Sequence, residues 1–380
     1  MPSKRVIGAG IAAAAVVAAG VAVTVTQHSG NGAASHSAGS LPGVAAGPIH
    51  VESITPAAHT KGVDGAAPIT VNFSAAMTAR TPKPTLSPSV PGHWVASGHS
   101  LMFIPAQAFG PATKITVTVP AGPDGVHSAA GGLLTAGFTE KFTTGHYPQL
   151  ALSEALASQG YLPMSFTASP TSTSASVNDP AMQTAAGQAY NPPSGTFTWD
   201  RGYPRRLHHL WNPNQPNQVL AGAVMAFQSQ HGMTIDGKLT PKFWDKLFKA
   251  AASGQKNANG YTYAVASKSL PESLTIWHNG HVVLKTLANT GIPVSPTADG
   301  NFPVYERFRF QIMRGTNPDG SAYADPVSYV SYFDGGDAVH YFPRGSYGWQ
   351  QSLGCVELPW DSAKKAYPYL TYGSIVSVVG

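Results

Sequence analysis

Short runs of alternating apolar and polar residues recur along the first third of the chain. Ile69-Thr70-Val71-Asn72-Phe73, Leu101-Met102-Phe103-Ile104, Ile115-Thr116-Val117-Thr118-Val119 and Phe138-Thr139-Glu140-Lys141-Phe142 are separated by Pro/Gly/Ser turns. A period of two sends successive side chains to opposite faces of a strand, so this block predicts a β-sandwich of half-buried strands. No Cys–Trp–Cys pattern accompanies it, which makes the sandwich Ig-like without a disulfide. It gathers no acids, histidines or nucleophiles and reads as a spacer or an interaction module.

The period then changes. Leu152, Ala155 and Leu156 share one helical face over 150–160, with Gly160 as the stop. Leu220, Val224 and Phe227 form a second stripe over 219–231. A third helix over 241–251 starts with Pro241 after the N-cap Thr240 and buries Phe243, Leu247 and Phe248. Between the first two helices, 167–191 is rich in Ser, Thr, Ala and Pro and reads as a loop. From Tyr261 the β pattern returns, and two runs over 274–278 and 281–284 flank Asn279-Gly280, a two-residue hairpin signal. Further strands are expected at 304–312, 326–333, 338–342 and 375–379, with a helix over 361–367 before Pro368. His278 and His281 flank the hairpin tip with no third ligand nearby in sequence, so no metal site is read there.

A length of 380 residues suits two or three domains. Gly 40 and Pro 32 fit turn-rich β domains, because hydrophobic residues at 43% still suffice for cores. The net charge of +5 is not gathered into a stripe, so nucleic acid is not indicated; an anionic cell wall is compatible with it. At the N-terminus Lys4 and Arg5 precede an uncharged apolar run over 6–25, then a polar tract over 27–40. This is an export signal, and the length of the run favours an uncleaved signal-anchor over a cleaved peptide. No cysteine follows it, which excludes a lipoprotein anchor.

Cys355 is the only cysteine. Past the membrane it has nothing in the chain to pair with, which leaves an inert buried thiol, an intermolecular bridge or a reactive nucleophile. Its neighbours bear on the choice. Ala338-Val339-His340 ends a strand, and Ser352-Leu353-Gly354-Cys355-Val356-Glu357-Leu358 follows, with Cys355 fifteen residues after His340. An imidazole can take the thiol proton to make the nucleophilic thiolate and later return it to a leaving amine. A hairpin-like excursion through Gly345, Gly348 and Gly354 brings the two together in this reading. The N–H groups of Leu353, Gly354 and Cys355 then face a developing oxyanion.

Two stretches resemble known families. The run over 224–237, with its Phe227-Gln228 and Asp236-Gly237, resembles the second half of a peptidoglycan-binding three-helix domain. Trp244 and Leu247 match its last helix and 152–162 its first, with a long insertion between the first two. His340 together with Ser352, Gly354, Cys355 and Val356 resembles the L,D-transpeptidase (YkuD-type) catalytic domain, a likeness that covers 261–380. Asn289-Thr290-Gly291 and Pro296-Thr297-Ala298-Asp299-Gly300 resemble that family's strand and turn. Leu353 stands where the family has His, and Glu357 where it has Arg or Asn.

The fold class expected is multidomain and mainly β. An export segment over 1–26 and a linker over 27–46 lead to an Ig-like sandwich over 47–145. A peptidoglycan-binding-like helical domain over 148–253 and the catalytic β-sandwich over 261–380 follow. The resemblance implies Cys355 as nucleophile and His340 as general base and acid, oriented by the Tyr341 carbonyl, with Ser352 structural. Leu353 then serves through its N–H, and Glu357 reads as a solvated surface residue, with a pairing to Arg344 or a part in acceptor choice as the alternatives. The segment 314–325 stands in place of a substrate-covering flap, and Met313, Tyr323 and Trp349 are candidate substrate contacts. The activity implied is attack on a peptidoglycan tetrapeptide stem, loss of D-Ala, and resolution of the thioester by an amine of another stem. No cofactor or metal is implied, and carbapenems are implied to acylate Cys355. The alternatives are an L,D-carboxypeptidase and a non-catalytic wall-binding scaffold. The location implied is the cell envelope, with the membrane met only through the N-terminal segment.

Overall fold

The computed structural model describes residues 46–169 and 188–380. The expected export segment and linker lie outside the described residues, apart from Ala46, as does most of the expected 167–191 loop. Among the described residues no helix is long and apolar enough to cross a membrane.

Seven strands come first: β1 (Val51–Thr55), β2 (Ile69–Phe73), β3 (Thr85–Ser87), β4 (Gly92–Ser97), β5 (Ser100–Pro105), β6 (Lys114–Val119) and β7 (Phe138–Thr143). They form a four-stranded sheet in the order β1-β2-β5-β4 and a three-stranded one in the order β3-β6-β7, with antiparallel pairing throughout. The alternation does what a period of two requires. Ile69, Val71 and Phe73 from one sheet and Ile115, Val117 and Val119 from the other are buried against each other.

The middle region holds α1 (Gln149–Ser158), β8 (Met164–Ala168), β9 (Gly195–Trp199), a helical turn α2 (Arg205–His208), α3 (Gln218–Gln230) and α4 (Pro241–Ala252). Asn217 caps α3 by accepting from the Leu220 N–H at 2.9 Å, and Thr240 caps α4 by accepting from the Phe243 N–H at 3.2 Å. Buried Gln228 accepts from the N–H groups of Asp236 and Gly237 and donates to Asp236 Oδ1. The Gln and Asp-Gly of the 224–237 motif are therefore committed to folding the turn between α3 and α4. β8 and β9 make an antiparallel hairpin, so the expected loop begins inside a strand. Phe166 and Phe197 face each other across it at 4.9 Å, two aromatics hidden within a Ser/Thr-rich composition.

The last region contains β10 (Thr262–Ser267), β11 (Ser273–His278), β12 (His281–Leu287), β13 (Gly300–Pro303), β14 (Glu306–Thr316), β15 (Ala322–Asp334), β16 (Asp337–Tyr341), β17 (Val356–Leu358), α5 (Trp360–Ala366) and β18 (Ile375–Val379). One sheet runs β12-β11-β10-β18-β13, the other β14-β15-β16-β17. Ala264, Leu274, Ile276, Val339, Val356, Leu358 and Val376 belong to the core they share. The β11–β12 turn has positive φ at both Asn279 and Gly280, as a type I′ hairpin requires. The strand expected over 304–312 is β14, which begins two residues later at Glu306 and runs on to Thr316; an unexpected short strand, β13, precedes it in the other sheet.

The helical region and the last region share a core. Leu156, Leu220, Val224, Phe227, Phe243 and Leu247 pack in one cluster with Tyr261, Tyr263 and Ile375.

Candidate active site

β16 and β17 pair in parallel, with Val339 opposite Val356 and His340 opposite Glu357. The excursion between them is therefore a crossover and not the hairpin expected from sequence. Parallel strands need a long return, and this one has no helix. Residues two apart on a strand face the same way, so Cys355, Glu357 and His340 present to one side of the sheet. All three line a cleft of about 610 Å³, roofed by Met313, Tyr323 and Asp325 of the β14–β15 hairpin.

The returning loop is held by the Asn289-Thr290-Gly291 segment. Asn289 exchanges both backbone bonds with Glu357, and its Oδ1 accepts from the Gly348 N–H at 2.9 Å. The Thr290 carbonyl accepts from the N–H groups of Gln351 and Ser352, and Ile292 N–H donates to the Ser352 carbonyl. Thr290 is anchored in turn by fully buried Glu272, whose carboxylate accepts from its N–H at 2.6 Å and its hydroxyl at 2.8 Å. Thr297 Oγ1 accepts from Gly291 N–H, which ties the second sequence motif to the first.

Within the loop, Ser352 Oγ donates to the Cys355 carbonyl at 2.6 Å and accepts from the Gly354 N–H at 3.2 Å. Gly354, expected as an oxyanion donor, therefore has its N–H committed to Ser352. The Leu353 and Cys355 N–H groups are the donors that remain for an oxyanion. Gly354 has φ +121°, and a Cβ there would lie 2.2 Å from Asp337 Oδ1, so the position admits only glycine.

His340 is 2% exposed, and its Nδ1 lies 2.9 Å from the Tyr341 carbonyl. A carbonyl only accepts, so the proton sits on Nδ1 and Nε2 carries the lone pair. Burial pushes the imidazole below the usual histidine range, against the Tyr341 bond and Glu357, which favour its charged form. Burial also pushes the Cys355 thiol up to about 12, with Asp337 and Glu357 adding to the rise and the Ala338 N–H opposing it. Its S–H is directed at the Gly336 carbonyl at 3.9 Å. Both shifts favour the uncharged forms, a protonated thiol and a neutral imidazole.

Glu357 is not the solvated residue expected. It is buried, and both carboxylate oxygens accept from Arg344, Nε and Nη2, at 2.7 Å each. Arg344 Nη2 also donates to the Gln351 carbonyl at 2.9 Å. Pairing across the parallel strands turns Glu357 inward, where the fork of the Arg344 guanidinium satisfies both of its oxygens. Met313 and Tyr323 line the cleft, as does half-buried Leu353; Trp349 is exposed and is not among the lining residues. Sequence reasoning missed Glu272 and Asp337. Asp337 lines the cleft three residues before His340 in the turn Asp334-Gly335-Gly336-Asp337, and Glu272 gave no local signal.

Residues 261–378 match the family model of the L,D-transpeptidase catalytic domain. The chain carries a C-terminal L,D-transpeptidase domain. Residues 45–144 match the bacterial Ig-like domain, so this L,D-transpeptidase domain follows an N-terminal Ig-like one. No curated protein matches the chain. Among solved structures it is similar to an L,D-transpeptidase from Mycobacterium smegmatis, at 16% identity over 87% of this chain and 99% of that one, TM-score 0.29. It is also similar to L,D-transpeptidase 3 from Mycobacterium tuberculosis in complex with a faropenem-derived adduct, at 15% identity, 87% and 98% coverage and TM-score 0.30. The catalytic domain of an E. faecium L,D-transpeptidase is 28% identical over 31% of this chain and 95% of that one, TM-score 0.29. The L,D-transpeptidase domain, with its single cysteine on the cleft, is equipped for cysteine-based acyl transfer.

Proposed function

We propose that Cys355 attacks the carbonyl of the third residue of a peptidoglycan tetrapeptide stem and that His340 moves the protons. The observation that carries this is His340 itself, buried at the cleft, with Nδ1 spent on the Tyr341 carbonyl and Nε2 free to accept. Nε2 takes the thiol proton as sulfur bonds to carbon, then gives it to the departing D-Ala amine. The Leu353 and Cys355 N–H groups take the developing oxyanion. A side-chain amine of a second stem resolves the thioester and leaves a cross-link between two third-position residues. A carbapenem fits the same acylation step and would remain as a thioester on Cys355.

The Lys4-Arg5 pair ahead of the apolar run over 6–25 supports delivery outside the membrane, where this substrate is found. The helical region resembles a wall-binding module and would hold the enzyme on the polymer.

The test incubates the purified full chain with disaccharide-tetrapeptide and reads the products by mass spectrometry. Tripeptide and cross-linked dimer are expected, together with a carbapenem adduct on the wild type and none on Cys355→Ala. Tripeptide without dimer would make the protein an L,D-carboxypeptidase. An adduct that survives Cys355→Ala would remove the nucleophile assignment.

A further inference from the structure

We infer that Asp337 is the acceptor-binding residue of this cleft: its carboxylate seats the protonated amine that resolves the thioester and so favours transfer over hydrolysis. The inference rests on the acyl-transfer reading above and adds to it the choice of acceptor.

Asp337 opens β16, and its carboxyl lies directly on the backbone of Gly354, the residue before the nucleophile. Among the described residues no lysine, arginine or histidine forms a salt bridge with it. The other charges on the cleft are differently committed. Glu357 is locked to Arg344, while Arg314 and Asp325 stand on the roof hairpin. The groups that act electrostatically with Asp337 are Asp334 across the β15–β16 turn, the Cys355 thiol, Tyr305 and Tyr323, all neutral or acidic. Burial, with Asp334 adding to it, pushes the Asp337 carboxyl up to about 6.

A carboxylate beside a nucleophilic thiol opposes thiolate formation. What it favours in that place is a cation, and of the two species that can resolve the thioester only the amine arrives charged. A water molecule gains nothing comparable. The protons balance as follows. The acceptor enters as an ammonium with three N–H protons. One passes to the Asp337 carboxylate and on to solvent, which frees the lone pair. The amine attacks the thioester carbonyl, the C–N bond forms and the C–S bond breaks. A second proton passes to His340 Nε2 and from there to the Cys355 sulfur, and the third stays on the new amide.

The experiment uses purified disaccharide-tetrapeptide, with its free third-residue amine, as both donor and acceptor. The ratio of dimer to tripeptide is measured for the wild type, Asp337→Asn and Asp337→Glu. This ratio compares two fates of one thioester, so it does not depend on how fast the thioester forms or on how much protein is folded. Asp337→Asn is expected to lower it at least about tenfold, the effect of losing one charge-assisted hydrogen bond. Asp337→Glu is expected to recover part of the loss. An unchanged ratio in Asp337→Asn, with D-Ala still released, would overturn this inference and leave the acyl-transfer reading standing. An equal fall in both variants would make Asp337 a packing residue of the loop. A wild type that releases no D-Ala would overturn the acyl-transfer reading, and this inference with it.

Discussion

Asp337 shows how a single position can oppose stability in favour of chemistry. Its carboxyl is held at about 6, above the ordinary aspartate value of 3.8, first by burial and then by Asp334. An acid raised on folding binds its proton more tightly in the native state. Stability is therefore fullest below the unfolded value and falls as pH climbs through the folded one. At neutral pH the displacement would be worth about 3 kcal/mol if fully expressed, and about 1 kcal/mol after screening at the solvent-facing cleft. Asp337→Asn is thus expected to melt above the wild type at pH 7, by roughly 2–4 °C for a cooperative unit the size of the joined helical and catalytic regions, and level with it near pH 3.5. Thermal scans at the two pH values check this, and a variant less stable at pH 7 would contradict it. The stabilising exchange is the same one expected to damage acceptor transfer. Under the proposed mechanism Leu353 illustrates the opposite economy: a backbone donor does not depend on the side chain that carries it, so leucine would serve where the resemblance leads one to expect histidine.

The elements differ in how far the sequence disclosed them. The β11–β12 hairpin was legible because two adjacent residues, Asn279 and Gly280, decide it locally. The start of α4 was legible because Thr240 acts within its own turn. The β8–β9 hairpin was not, since its signal is two aromatics meeting across a gap longer than any local window. The Arg344–Glu357 pair was offered from sequence only as an alternative, because it depends on the parallel crossover that turns Glu357 inward. That pair links the element's two ends: Arg344 leaves β16, Glu357 lies within β17, and Gln351 is held between them. With the Glu357 side chain 5% exposed, Arg344→Met strands a buried carboxylate and should cost about 3 kcal/mol, and the double variant with Glu357→Met should recover most of it. Urea unfolding of the four proteins in a double-mutant cycle measures the coupling. Additive losses would mean that the pair is no more than a surface contact.

At the scale of the whole molecule, the sequence suggested three successive domains, and the packing joins the last two. α3 lies on the turn before β18 so closely that a Cβ on Gly222 would fall 2.3 Å from the Gly373 carbonyl oxygen and 2.8 Å from Ile375 Cδ1. Gly373 faces it at φ +81°, where a Cβ would fall 2.0 Å from the Gly222 carbonyl oxygen. Gly202 and Gly280 repeat this backbone-to-backbone contact elsewhere on the same boundary. β18 lies between β10 and β13 in the five-stranded sheet, so whatever displaces α3 also disturbs the middle of the catalytic domain. Such contacts leave no periodic trace, which is why the sequence read as separable modules. Gly222→Val adds a branched side chain where no space exists and should destabilise by about 3 kcal/mol. The loss should appear in the helical far-UV signal and in carbapenem reactivity of Cys355 at the same temperature, because both regions share one core. The Ig-like sandwich, with its own core, should keep its transition. If the helical signal were instead lost first while Cys355 stayed reactive, the helical region would be a detachable module, and its glycines a coincidence of packing.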